Sequence, residues 1–133
     1  MARIYAGITG PILLILGVLG LAGFQIPATV SLWQPGEIVI HFLSGIIAMG
    51  VYIMTTRGSD VPRLYGRVFG PIYLLIGVVG YAFPDILSGS IFHLDPGCNI
   101  VHIIFGIWGV FVGYFATEGA RYEHGAQVAM SGA

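Results

Sequence analysis

Two stretches place a titratable ring at the same point of an apolar run. "PGEIVIHFLSG" (Pro35–Gly45) and "PGCNIVHIIFG" (Pro96–Gly106) each put a histidine six residues after a Pro-Gly proline and four before a glycine. His41 and His102 are therefore the residues with most chemical capacity. An imidazole coordinates metals, carries protons near neutral pH, or donates one hydrogen bond while accepting another. Small residues continue from each ring at helical spacing. His102, Gly106, Gly109 and Gly113 make one stripe, and His41, Gly45, Ala48 and Tyr52 make the other.

Two readings of these stripes stay open. In the first, glycines let helices approach closely and the histidine bonds a neighbouring helix or loop. In the second, the histidine ligates the metal of a tetrapyrrole, either haem or a chlorophyll or bacteriochlorophyll. Gly45 and Gly106 would then leave room for the flat ring. Two histidines at equal depth suit a single bis-ligated haem. Proton or ion handling is a third use of intramembrane histidines.

The other polar residues offer less. His93 has Asp95 two residues on, which suits a turn better than a metal site. His124 reads as a solvated tail residue. Cys98 is the sole cysteine, so an internal disulfide and two-cysteine metal motifs are excluded. Glu37 stands where Cys98 stands in the other stretch and suits a helix N-terminus. There is no nucleophile–base pair, carboxylate pair or phosphate loop, so no enzyme is expected. A transport route would need polar groups at mid-membrane, and Ser44 and Tyr73 are nearly all that the apolar runs supply.

The elements that position these residues follow from composition. Of 133 residues, 56% are hydrophobic and only 8% are charged, with a mean hydropathy of +0.90. Soluble domains carry about 25% charged residues, so this surface must face lipid or other membrane subunits. With a net charge of −1 and no basic patch, nucleic acid is not an expected partner. Four apolar runs, at 5–24, 38–54, 64–83 and 100–116, approach the ~20 residues that cross a bilayer as a helix. The first is long enough to be a retained helix rather than a signal peptide. Barrel strands would alternate with period two, which these runs do not.

Orientation follows from the arginines. The chain has no lysine. Arg3, Arg57, Arg63, Arg67 and Arg121 fall before the first run, between the second and third, and after the fourth. The other two connections carry only Glu37, Asp85 and Asp95. Both termini are therefore expected on the cytoplasmic side. The membrane expected is a bacterial inner, intracytoplasmic or thylakoid-type one. Trp33 and Phe92 are expected at the outer interface.

The runs repeat. Arg3–Ala22 over Arg63–Ala82, at an offset of 60, matches at ten of twenty positions, Tyr5/Tyr65, Gly10/Gly70, Pro11/Pro71, Gly17/Gly77 and Gly20/Gly80 among them. The second and fourth runs align at an offset of 61. The expected fold is thus an all-α integral membrane protein of four helices, built as two tandem parallel hairpins. Residues 1–58 form the first hairpin, 59–119 the second and 120–133 a short tail. Pro11 and Pro71 predict a paired kink or helix restart. Gly66-x-x-x-Gly70 and Gly109-x-x-x-Gly113, with Gly10, Gly17 and Gly77, are the expected packing positions.

The runs "GPILLILGVLGLAGF" and "FHLDPGCNIVHIIFGIWGVF" resemble an uncharacterised family, a domain of unknown function. Its members are small four-helix membrane proteins of bacteria and cyanobacteria with an Asn-x-x-His-x-x-x-Gly motif in the last helix. Here Asn99, His102 and Gly106 carry that motif, and the resemblance extends to about Ala116. In the first copy Ile38 stands in place of the asparagine. The resemblance implies fold and membrane location and supplies no activity. The expected role is a non-catalytic accessory subunit packing against a larger membrane complex, photosynthetic or respiratory. The alternatives are a tetrapyrrole-binding protein using His102 and His41, and a small transporter or channel.

Overall fold

A computed structural model describes residues 1–24, 34–56, 58–85 and 95–116. The described residues are all-helical: α1 (Ala2–Leu21), α2 (Pro35–Met54), α3 (Val61–Ala82) and α4 (Pro96–Val110), the last running on as a π-helical turn, Phe111–Phe115. All four are long and apolar enough to cross a membrane. At 1.5 Å per residue, 20 residues reach about 30 Å. Trp33, Arg57, Phe92, His93 and the expected tail from residue 120 lie outside the described residues.

Each helix starts three or four residues before its expected apolar run. The Pro-Gly pairs open α2 and α4 rather than closing the loops before them. Proline suits the first helical turn because its missing N–H has no intrahelical acceptor there. Asp95 caps α4 by accepting the Cys98 N–H at 2.9 Å, whereas Gln34 makes no side-chain cap on α2. At the other end, α1 stops in a Schellman turn. Gly23 takes φ +67°, its N–H reaches the Gly20 carbonyl, and the Phe24 N–H reaches Leu19.

The expected helix restart at the internal prolines does not occur. α1 and α3 run through Pro11 and Pro71 as single helices. A neighbouring helix backs each site closely: the preceding glycine, Gly10 or Gly70, lies against the backbone of Met49 or Val110.

α1 packs along α2, and α3 along α4, as antiparallel hairpins. The hairpins meet along α1 and α3, with flanking contacts of α2 to α3 and α1 to α4. No described Cα of α2 comes within 8 Å of one in α4. At the end holding Met1, Ala2, Tyr5, Ala6, Ala48, Tyr65, Val112 and Ala116 form the buried apolar core. Outward faces are covered by exposed apolar side chains such as Ile15, Leu43, Ile53, Leu75 and Ile104.

Candidate functional site

The glycine stripes are filled by neighbouring helices. A Cβ on Gly45 would lie 2.9 Å from the Leu14 backbone nitrogen, and one on Gly106 would strike the Leu74 nitrogen and Cα. Gly10 meets Met49 where Gly70 meets Val110, and Gly17 meets Phe42 where Gly77 meets Ile103. Gly66 and Gly70 face Gly109 and Gly113. The room expected for a macrocycle beside Gly45 and Gly106 is therefore occupied by the hairpin partners Leu14 and Leu74. A flat ring does not fit along these stripes.

The histidines occupy a different space. His41 is 6% exposed, and His102 is half-buried on α4. They stand on α2 and α4, between which no described Cα pair comes within 8 Å. Both Nδ1 atoms are sealed from solvent without a hydrogen-bond partner in the protein. The Cys98 backbone, one turn back, interacts electrostatically with His102 but is out of hydrogen-bond geometry. Such atoms typically cost about 1–3 kcal/mol each when buried unpaired. A helix needing only close packing gains nothing from keeping them.

A file of hydroxyls runs from the histidines toward the Met1 end. The Tyr73 ring lies 5.9 Å from the His102 ring, tilted by 39°. Its hydroxyl is turned toward those of Ser44 and Tyr65, and Tyr65 toward Thr9. The Tyr65 and Tyr73 hydroxyls stop short of hydrogen-bond geometry and are sealed from solvent. Thr9 donates to the Tyr5 carbonyl at 2.9 Å. Tyr5 donates to the Phe105 carbonyl at 3.1 Å, tying α1 to α4. Ring contacts join Trp108, Tyr5, Tyr65, Phe69 and Tyr73 in succession, at centroid separations from 4.6 to 6.0 Å.

Tyr5, Thr9 and Tyr65 join Ser44 and Tyr73 in the bundle interior; sequence reasoning did not single them out. The Tyr5/Tyr65 identity at an offset of 60 was the available signal, together with the four-residue spacing of Tyr65, Phe69 and Tyr73.

The flanks carry the charges. Glu37 is 4% exposed and stands one turn before His41 on α2. Asn99 is 2% exposed and its side chain rests on Gly80. Cys98 is buried and reduced. At the opposite end, Arg3 donates to the Tyr52 carbonyl at 3.1 Å and lies over the Tyr52 ring. Arg67 donates to the Gly113 carbonyl at 2.8 Å.

Among the described residues, no three or more His, Cys, Asp or Glu side chains gather as a metal site. Compared with protein-family models, curated proteins and solved structures, the chain finds no match.

Proposed function

We propose that the chain is a non-catalytic integral membrane subunit that docks on a larger membrane-protein complex through the outward face of α2. The observation that carries this reading is Gly50. The glycines along the helix–helix contacts each have a neighbour where a Cβ would stand, but Gly50 meets nothing within 4 Å. It lies on α2 among exposed Ile46, Ile47 and Ile53. The corresponding position of α4 holds Phe111, which is 51% exposed. A notch flanked by isoleucines lets a second helix approach closely, which lipid does not require.

The arginine distribution supports placing the Met1 end and the α2–α3 connection on the cytoplasmic side. Matching glycine contacts in the two hairpins support reading them as tandem copies. The test is photo-crosslinking from Ile46 and Ile53 on α2, against Ile107 and Tyr114 on α4, in native membranes. An adduct with a different polypeptide from the α2 positions alone is expected, and Gly50→Phe should abolish it while leaving the helical content intact. Equal labelling from both helices, or adducts with lipid and copies of this chain only, would refute the reading.

A further inference from the structure

We infer that the Arg3–Tyr52 and Arg67–Tyr114 pairs are two binding sites for the phosphate of an anionic phospholipid, one on each hairpin, in the leaflet at the Met1 end. This goes beyond the docking role and does not depend on it, since neither pair uses the Gly50 face of α2.

The two sites are built alike. Arg3 Nε donates to the Tyr52 carbonyl at 3.1 Å, and Arg67 Nε donates to the Gly113 carbonyl at 2.8 Å. Each carbonyl stands two residues before its helix ends, at Met54 or Phe115. Each guanidinium then lies over a tyrosine ring, 4.6 Å from the Tyr52 centroid and 5.8 Å from the Tyr114 centroid. Both tyrosines are exposed, so the sites open outward. Sequence correspondence does not explain the likeness. Arg63 is the residue that matches Arg3, yet its Nε has no hydrogen-bond partner. Arg67 matches Gly7 and makes the bond instead. The same arrangement is thus reached from two different helix positions.

The carbonyl engages one of the five guanidinium N–H groups. That bond satisfies the helix end, and an amide side chain would do the same. Four N–H donors remain on the two Nη atoms of each arginine, and no protein acceptor takes them among the described residues. Asp60 is the one carboxylate at this end among the described residues, and it pairs with neither guanidinium. The Nε bond and the ring hold the guanidinium plane, so its remaining donors form a fixed fork rather than a swinging charge. Two parallel N–H groups match two oxygens of a phosphodiester. The uncompensated charge favours a headgroup with no ammonium of its own. The depth matches as well. Two residues are about 3 Å of helix, which places the fork where acyl chains meet headgroups and where tyrosine rings also settle. Exposed Ile4 and Val68, the next residues in the chain, suit the acyl chains that such a headgroup carries. A free phosphate offers the same oxygens without those chains.

The test uses the full chain purified in detergent micelles, with native mass spectrometry counting the phospholipids retained on each chain. Phosphatidylglycerol and phosphatidylcholine are added separately, and inorganic phosphate is added as a competitor. The expected result is two phosphatidylglycerols retained per chain, fewer phosphatidylcholines, and no displacement by inorganic phosphate. Arg3→Gln and Arg67→Gln each keep an amide donor for the carbonyl and remove the fork. Each should lose one retained lipid, with affinity at that site falling about fivefold, which corresponds to ~1 kcal/mol per basic residue at an anionic surface. Arg3→Lys keeps the charge alone and should behave like Arg3→Gln, while Arg63→Gln should behave like the unsubstituted chain. Equal retention of the two lipids would overturn the inference, as would full retention in Arg3→Lys or an equal loss from Arg63→Gln. Displacement by inorganic phosphate would assign the fork to the free ion and overturn the lipid. If Arg67→Gln fails to fold, the Arg3 variants and Tyr114→Leu, which leaves the Arg67 bond to Gly113 in place, still decide.

Discussion

The two hairpins keep the same contacts with their volumes exchanged. In the first, Gly7 on α1 faces the Tyr52 ring on α2, at 2.7 Å from a built Cβ. At the corresponding place in the second, Arg67 is on α3 and the glycine is Gly113 on α4. In each hairpin an arginine donates to the carbonyl at this corresponding place, Arg3 to Tyr52 and Arg67 to Gly113. Facing the bundle interior, the first hairpin presents Tyr5, Thr9 and Leu13, and the second presents Tyr65, Phe69 and Tyr73. The aromatic interior is thus supplied mostly from one side. A close backbone seam in the second hairpin accompanies bulky side chains directed to the middle. The first hairpin has Ala48 and Tyr52 where the second has Gly109 and Gly113.

That contrast can be broken most severely at the tighter seam. Gly113→Ala puts a methyl 2.5 Å from the Arg67 backbone nitrogen, so the helices must separate. A loss of about 1–3 kcal/mol is expected, measured by reversible unfolding in mixed micelles, and Arg67→Ala should not recover it. Gly7→Ala meets a side chain instead, so Tyr52→Ala should recover most of its loss. A coupling of about 1 kcal/mol in a double-mutant cycle is expected there and none in the second hairpin. Equal rescue in both hairpins would contradict the exchange.

The caps supply the next effect in size. Asp95→Ala should cost about 1 kcal/mol and loosen the start of α4. Gln34→Asp should gain a similar or smaller amount in α2, read as slower amide exchange in its first turn. If neither changes exchange, capping does not distinguish the hairpins. The smallest effect is expected at the inter-hairpin tie. Tyr5→Phe removes the bond to the Phe105 carbonyl, worth about 0.6 kcal/mol by the average for membrane helices. Unfolding midpoints should register that loss, with no change in helical content.

The four spans were legible because apolar length and arginine placement are properties of composition along the chain. The helix starts were misplaced by three or four residues, since Pro35 and Pro96 read equally well as loop ends or first helical residues. The glycine stripes were legible as flat faces, but their occupants were not. Whether Gly106 meets a macrocycle or Leu74 depends on how near α3 comes, which no local spacing encodes. Tyr5 and Tyr65 were hidden for a related reason. A tyrosine in an apolar helix serves lipid, interface or interior equally well, and only rotation about the helix axis decides.

The interval between α2 and α4 also has a mechanical meaning. With α1 and α3 as the spine, the hairpins resemble the covers of a book whose free edges share no close backbone contact. A change in bilayer thickness or lateral pressure that tilts α2 therefore reaches α4 through the spine, by way of α1 and α3.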